Sequence, residues 1–200
     1  MEEKKAQTVK TYNATAQAMK QKFESIGVRA EDVSRAFSLV QKTNPKVLEI
    51  GCGHGREAAE ILKYTNDYLG IDIAEGFIAI AHKDVPNGAF AVADIDSYTF
   101  PPSLDIIFAF ASLLHSTRES VGRILHDARM ALNDGGLFYI SLKKGTYKEV
   151  TKEDEFGTRT YYFYTLEDIK LLAGGAYSVV YENEQHVRGQ EWFTICLKRK

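Results

Sequence analysis

The sequence predicts an α/β fold built on an open, mainly parallel β-sheet with helices on both faces. From Lys46 onward, short apolar segments alternate with longer segments whose apolar residues recur every three or four positions. The short segments are apolar at consecutive positions, as is typical of strands buried on both faces. Strands and helices in alternation imply parallel pairing with right-handed crossovers, which gives an open α/β sheet.

Residues 1–44, ahead of the first strand, predict an N-terminal helical cap. Apolar residues between Val9 and Ile26 are spaced by three and four, which predicts an amphipathic helix. Residues 31–42 predict a second helix. We expect a single domain over residues 1–200, because a chain of 200 residues with 44% hydrophobic content suffices for one core.

The alternation itself runs from Lys46 to the middle of the chain. The predicted strands are residues 46–50, 68–72, 89–94, 104–110 and 136–142, and the helices between them are residues 56–65, 75–83 and 117–132. Asn133 to Gly136 are expected to stop the last of these helices.

The C-terminal part departs from this pattern. Residues 145–164 begin with a polar, charged stretch, which predicts an exposed excursion on the side of the substrate. A helix at residues 165–175 precedes two strand-like segments, residues 176–182 and 191–199. The turn between them is short, so we expect an antiparallel hairpin that makes the last strand antiparallel.

Composition excludes several classes of function. The formal net charge of −2 gives no electrostatic reason to expect a nucleic-acid partner. The longest apolar run, residues 106–114, is too short to span a bilayer, and the charged N-terminus lacks the apolar core of a secretory signal. Cys52 and Cys196 have no paired metal-ligand spacing, which favours a cytoplasmic protein, although the two cysteines can in principle pair.

The segment VLEIGCGHGRE, residues 47–57, places Gly51, Gly53 and Gly55 directly after the first strand. In an open α/β sheet, ligands bind at the carboxyl ends of the strands, and glycines let the backbone approach them. A P-loop requires a Lys-Ser/Thr pair after the glycines, which this segment lacks. A dinucleotide fingerprint requires glycine at position 56, where Arg56 stands. The pattern is therefore G-x-G-x-G.

Three successive strands carry a carboxylate at or near this edge, namely Glu49, Asp72 and Asp94. Asp72 lies about twenty residues after the loop, where an acidic side chain can accept hydrogen bonds from ribose hydroxyls. Clustered carboxylates disfavour one another, and a cationic, hydroxyl-rich ligand relieves that cost. Helix capping by Asp72 or Asp94 is the alternative.

Taken in order, these motifs resemble the class I S-adenosylmethionine-dependent methyltransferases. The set comprises E-x-G-x-G-x-G, G-I-D-I, A-D-I, DIIFAFASLLH and LNDGGLFYISL, over about residues 47–142. The resemblance implies a Rossmann-like open sheet of seven strands, mostly parallel with an antiparallel last strand. It also implies S-adenosyl-L-methionine as the cofactor and no metal.

The resemblance assigns positions along the cofactor. Glu49 approaches the amino group, and Phe110 lines the methionine end. Asp72 takes the ribose hydroxyls and Ile73 lies against the adenine, while Asp94 faces the adenine amino group. The implied cofactor-binding residues are Glu49, Gly51, Cys52, Gly53, Gly55, Asp72, Ile73, Asp94, Ile95 and Phe110.

His115 and Tyr12 are the candidate catalytic residues. By the resemblance, His115 follows strand four where the methyl group points, and it serves either as a general base or as a wall of the pocket. Tyr12 closes over the cofactor, or it serves only packing or a dimer contact.

The expected function is methyl transfer to an oxygen or nitrogen of a small-molecule substrate, with no membrane partner and the oligomeric state open. The alternatives are a non-catalytic S-adenosylmethionine-binding regulatory module and a methyltransferase of RNA or protein. Nucleic-acid amino-methylating enzymes typically carry Asn/Asp-Pro-Pro-aromatic after strand four, and here Pro101-Pro102 precede that strand. A nicotinamide-dependent enzyme conflicts with Arg56.

Overall fold

The computed structural model describes residues 2–200. The helices are α1 (Glu2–Glu24), α2 (Ala30–Val40), α3 (Ala58–Ile61), α4 (Glu75–Asp84), α5 (Arg118–Ala131) and α6 (Leu166–Ala173). The strands are β1 (Val47–Ile50), β2 (Tyr68–Asp72), β3 (Ala89–Val92), β4 (Leu104–Phe110), β5 (Leu132–Lys143), β6 (Lys148–Asp154), β7 (Gly157–Phe163), β8 (Tyr177–Val187) and β9 (Gln190–Arg199).

Seven of these strands form one sheet in the order β3-β2-β1-β4-β5-β9-β8. β1 to β5 pair in parallel, and β9 runs antiparallel to both β5 and β8. The predicted fold class, including the antiparallel last strand, is confirmed. The strand order reverses between β1 and β4, and this is the point where α/β sheets bind their ligands.

Both faces of the sheet are covered. Alternate side chains of β4 point to opposite faces, so that Ile106 and Phe108 pack with α2, α3 and α4, whereas Ile107 and Ala109 pack with α5 and α6. All four side chains are fully buried. Burial on both faces explains why this strand is apolar at consecutive positions.

The N-terminal helix is kinked at Thr15, which has φ −121° and ψ 15°. The Thr15 hydroxyl donates a hydrogen bond to the carbonyl of Thr11 at 2.7 Å, and such back-bonding bends helices. Beyond the kink, Ala16 and Met19 pack against Phe77 of α4. α1 is therefore anchored to the sheet layer through its second half.

Two boundaries differ from the prediction. The helix expected over residues 56–65 is α-helical only over α3. Its last turns have hydrogen bonds between residues three apart, as in a 3₁₀-helix, for example from Tyr64 N to Ile61 O at 3.0 Å. The residues expected to stop α5 lie inside β5 instead. Gly135 has φ 76°, and the pairing of β4 with β5 shifts register here. Its left-handed backbone therefore accommodates a strand irregularity rather than a helix end.

The excursion predicted over residues 145–164 is a β-hairpin of β6 and β7. β6 is exposed, as expected, but Thr160 to Phe163 of β7 are buried. α1 is bonded to β7, since Thr8 Oγ1 accepts a hydrogen bond from the amide of Thr160 at 3.1 Å. The polar stretch that was predicted to be exposed corresponds to β6, whereas the aromatic run that follows it forms the buried part of β7, which packs under α1 and against the core.

Candidate active site

A cleft of about 1240 Å³ opens at the carboxyl ends of the parallel strands, beside the switch point. The glycine loop and the ends of β2, β3 and β4 form its floor, while α1 and the β6–β7 hairpin contribute the opposite wall. The cleft lies where open α/β sheets bind their ligands.

The three glycines of the loop all have left-handed backbone, with φ of 70° at Gly51, 55° at Gly53 and 85° at Gly55. At Gly51 a side chain is impossible, because its Cβ would lie 2.2 Å from the Cβ of Ser112. At Gly53, by contrast, a Cβ would meet no described atom within 4 Å, and the residue lines the cleft. Gly51 thus serves packing, and Gly53 presents bare backbone to a ligand. Cys52, between them, is buried and free.

Asp72 ties the loop to the following helix. One carboxylate oxygen accepts a hydrogen bond from the amide of Gly53 at 2.9 Å, and the other accepts one from the amide of Ala74 at 2.8 Å. Burial raises the pKa of Asp72 above its ordinary value, although these amide bonds oppose the shift. Asp72 and Ile73 both line the cleft. Asp72 therefore holds the loop and the N-cap residue Ala74 in place and faces the ligand space, although its side chain does not cap α4. Its contact with ribose hydroxyls stays a prediction.

Glu49 lies behind the loop. Its side chain accepts a hydrogen bond from the Tyr68 hydroxyl at 2.6 Å, and the residue is 2% exposed. It is not among the described residues that line the cleft, whereas Glu57 is. Burial, with the Glu57 carboxylate nearby, raises the pKa of Glu49 to about 8. Glu49 supports the loop in this structure, and its contact with a cofactor amino group stays a prediction.

Asp94 and Ile95 line the cleft beyond β3. The ammonium of Lys5, from the first turns of α1, lies 2.6 and 2.7 Å from the two carboxylate oxygens of Asp94. The Asp94 carboxylate is therefore already ion-paired, and its contact with an adenine amino group stays a prediction.

The end of β4 makes a strained turn. Ala111 has φ 55°, which is uncommon for a residue with a Cβ and costs of order 1–3 kcal/mol. This turn brings Ser112 against Gly51, and the Ser112 hydroxyl is buried with no partner among the described residues. Phe110 and Ser112 line the cleft. Strain and an unpaired hydroxyl at one turn are typical of a ligand-binding position.

Tyr12 and His115, 103 residues apart in sequence, are hydrogen-bonded in the cleft at 2.8 Å. His115 Nδ1 lies 2.6 Å from the carbonyl oxygen of Thr160, so Nδ1–H is the donor there. Nε2 therefore accepts the hydrogen bond from the Tyr12 hydroxyl. Burial, together with the Arg159 and Lys143 cations, lowers the pKa of His115 to about 4. Both side chains are thus neutral near pH 7, and their catalytic roles stay predictions.

Several residues of the cleft were missed from the sequence. His54, in the glycine loop, packs beside Phe23 and Phe77, with ring centres 6.4 and 6.2 Å away, and its Nε2 is buried without a partner among the described residues. Arg159 directly follows the polar stretch that was predicted to be exposed. The other missed residues are Ser112, Lys143, Thr160, Tyr161 and Trp192. The aromatic run after Arg159 was the one signal that this segment returns to the core.

Within residues 2–200, no group of three or more His, Cys, Asp or Glu side chains is arranged to hold a metal ion. None of the helices over the same residues is long and apolar enough to cross a membrane.

The segment that contains the glycine loop, Asp72 and Asp94 is similar to known proteins. A family model described as a methyltransferase domain matches residues 47–136. The trans-aconitate 2-methyltransferase of Acidovorax ebreus is 31% identical over 99 residues, which is 48% of this chain and 38% of the relative. This chain therefore spans well under half the length of that relative.

Solved structures share the fold over nearly the whole chain. A 1,6-didemethyltoxoflavin-N1-methyltransferase of Burkholderia thailandensis superimposes with a TM-score of 0.76, at 15% identity, over 100% of this chain and 90% of that one. The PH0226 protein of Pyrococcus horikoshii gives a TM-score of 0.72 at 18% identity, over 90% and 92% of the two chains. At such identities the likeness concerns the fold.

Proposed function

The chain belongs to the class I S-adenosylmethionine-dependent methyltransferases, enzymes whose cofactor is S-adenosylmethionine, and we propose which acceptor it takes. We infer that it methylates an oxygen or nitrogen of a small molecule. One observation carries the proposal. A single cleft contains the glycine loop and Asp72 at one end and the Tyr12–His115 pair at the other. Its volume of about 1240 Å³ exceeds the roughly 300–1,000 Å³ of ordinary small-molecule pockets, which leaves room for an acceptor beside the cofactor.

The residues at the loop end suit a ligand with a polar, amino-acid-like tail. Gly53 offers open backbone, and the Ser112 hydroxyl and His54 Nε2 are buried polar atoms without partners. Such atoms are costly unless a ligand bonds to them. Asp72 has further lone pairs for ribose hydroxyls. These residues would hold S-adenosylmethionine, which supplies a methyl group on a positively charged sulfur that leaves as a neutral thioether.

At the other end the protein's task is alignment and exclusion of water. Tyr12, from α1, and His115 are neutral and half-buried. His115 Nε2 is occupied by the Tyr12 hydroxyl, so it can accept a proton from an acceptor only after that hydroxyl turns away. We therefore assign the pair to shaping the acceptor pocket, with general-base catalysis as the alternative.

A small acceptor is favoured over the other candidate functions. The name of the Acidovorax relative specifies a small acid as its acceptor. α1 and the β6–β7 hairpin form a wall of the cleft here, which suits a small molecule better than a polymer. A regulatory module that only binds the cofactor has no need of the additional volume.

The test is thermal unfolding with S-adenosylhomocysteine and, in parallel, with NAD. A ligand that binds only the native state stabilises it by about 2.7 kcal/mol at one hundred times its Kd. We expect the melting temperature to rise with S-adenosylhomocysteine and to stay constant with NAD. Equal shifts with both, or a shift with NAD alone, contradict the proposal.

A further inference from the structure

We propose that the acceptor carries a carboxylate and that Lys143 and Arg159 bind it beside the Tyr12–His115 pair. The proposal rests on the proposed function and specifies the class of its substrate. Lys143 and Arg159 both line the cleft, and both lie beside the ring of Tyr161. They come from β5 and β7, which belong to different sheets. The fold thus brings two cations together around one aromatic cluster.

Lys143, the last residue of β5, has no carboxylate partner within 4 Å over residues 2–200. Its ammonium lies 3.8 Å from the centre of the Tyr161 ring and 5.9 Å from that of Trp192. Contacts with aromatic faces contribute roughly 0.5–2 kcal/mol and do not replace a counterion. Burial, followed by repulsion from Lys152 and Arg159, lowers the pKa of Lys143 to about 8. The ammonium therefore lacks an anion in the cleft.

Arg159, on β7, is 7% exposed and pairs with Asp154. Its Nε is buried without a hydrogen-bond partner among the described residues. The guanidinium lies 5.6 Å from the centre of the Tyr12 ring and 5.7 Å from that of Tyr161. Asp154 is thus paired with Arg159 alone, Lys143 has no carboxylate partner, and Nε of Arg159 is still a free donor.

The charge balance selects a monoanionic group. Lys143 and Arg159 carry two positive charges, and Asp154 compensates one of them. Lys152, which also repels Lys143, is exposed to water, so the excess within the cleft is one. One carboxylate neutralises that excess, whereas a phosphate dianion would leave a buried negative charge. Unpaired charges in a buried site are costly, so the balance favours the carboxylate.

The carboxylates of the cleft differ in their partners. Asp72 has no cation within 4 Å over residues 2–200, whereas Asp94 is paired with Lys5. The protein as a whole has a formal net charge of −2, so the positive lining at Lys143 and Arg159 is a local arrangement and not a reflection of composition. A cationic cofactor fits beside Asp72, and an anionic acceptor fits beside the two cations.

The competing role for Lys143 is that of a general base, since a lysine amine that loses its proton near pH 8 can accept one from an acceptor. The two roles predict different outcomes for Lys143→Arg. Arginine keeps the positive charge and the donors but cannot be deprotonated in a protein. An anion site tolerates this change, and a base does not.

The experiment measures binding of matched acid and amide probes to the protein saturated with S-adenosylhomocysteine. The probes are benzoate, glutarate and citrate, each paired with its uncharged amide, and the readouts are thermal shift and calorimetry. We expect acids, and not amides, to bind. Lys143→Met should weaken acid binding about tenfold to a hundredfold, because a charge-assisted hydrogen bond is lost. Lys143→Arg should stay close to the wild type.

The matched control is Lys144→Met. Lys144 is the next residue, pairs with the exposed Glu184, and is not among the described residues that line the cleft. This variant should bind the acids as the wild type does. The inference is overturned if the acids bind no better than their amides, or if acid binding survives Lys143→Met. In both cases a wild type that still responds to S-adenosylhomocysteine leaves the proposed function standing. A wild type that does not respond to S-adenosylhomocysteine contradicts the proposed function itself.

Discussion

Replacing Tyr12 by phenylalanine removes one hydroxyl from the centre of the cleft and keeps the ring. The ring of Tyr12 lies 5.6 Å from that of Phe77, and this packing is preserved in Tyr12→Phe. The hydroxyl donates to His115 Nε2 at 2.8 Å, and both residues are half-buried. The substitution therefore leaves a neutral imidazole nitrogen without a donor.

The expected cost follows from that geometry. A buried acceptor left unsatisfied costs roughly 1–3 kcal/mol, and the free energy of unfolding should fall by about that amount. His115→Asn leaves the Tyr12 hydroxyl without an acceptor, although the asparagine amide can still donate to the carbonyl of Thr160. The double variant has neither the unpaired imidazole nitrogen nor the unpaired hydroxyl. Its loss should therefore be smaller than the sum of the single losses by about 1 kcal/mol.

Urea unfolding of the wild type, both single variants and the double variant measures this coupling. Tyr64→Phe is the matched control, since Tyr64 is 40% exposed and stacks on Phe37. Its unfolding free energy should change by less than about 0.5 kcal/mol. Strictly additive losses in the cycle would refute the idea that the Tyr12 hydroxyl and the imidazole are bonded partners. With an acceptor in hand, the same variants should raise KM more than they lower kcat if the pair only shapes the pocket.

Asp72→Asn should weaken binding of S-adenosylhomocysteine about tenfold to a hundredfold by calorimetry, because a charge-assisted acceptor is lost. The control Asp67→Asn, at an exposed position, should leave the affinity unchanged. An unchanged affinity in Asp72→Asn would limit Asp72 to holding the loop and the start of α4. The pKa of Glu49 is about 8 in the folded protein against an ordinary 4.5, so between these values the native state holds a proton that the unfolded state releases. The free energy of unfolding should therefore fall as the pH rises from about 4.5 to about 8. Glu49→Gln should lack that slope in urea unfolding at pH 5 and pH 8, and equal slopes would contradict the raised pKa. Because His115 has a pKa of about 4, the rate of methyl transfer should show no acidic limb near pH 6.5, and a limb there would place its imidazole in contact with water.

The cofactor end of the cleft was predictable from the sequence because its determinants are local. The glycine loop and Asp72 follow consecutive strands, and their left-handed backbone and amide contacts depend on residues about twenty positions apart. Helix and strand periodicity predicted the parallel part of the sheet for the same reason, and the resemblance to the family implied seven strands with an antiparallel last strand. Glu49 shows the limit of a pattern, since a motif gives its position but not that its side chain faces Tyr68 instead of the cleft.

The acceptor end was not predictable because its contacts join distant segments. Thr8 and Thr160, which hold α1 on β7, are separated by 152 residues, and Tyr12 and His115 by 103. Polar composition predicted an exposed stretch up to residue 158, and the aromatic run after it did not reveal that α1 covers the buried face of β7. No local pattern states which surface a distant helix will cover. The environment of Arg159 therefore could not be predicted from the sequence.

The kink of α1 has a consequence for the order of events in a catalytic cycle. Lys5 on Asp94 and Tyr12 on His115 both lie before Thr15, and they contact opposite ends of the cleft. Thr8 and Thr11 also hold this first half on β7, so it cannot swing about Thr15 without carrying β7 or losing those bonds. The contact with Asp94 and the contact with His115 are therefore carried by one rigid segment. We expect exchange of the cofactor and exchange of the acceptor to be coupled through that segment.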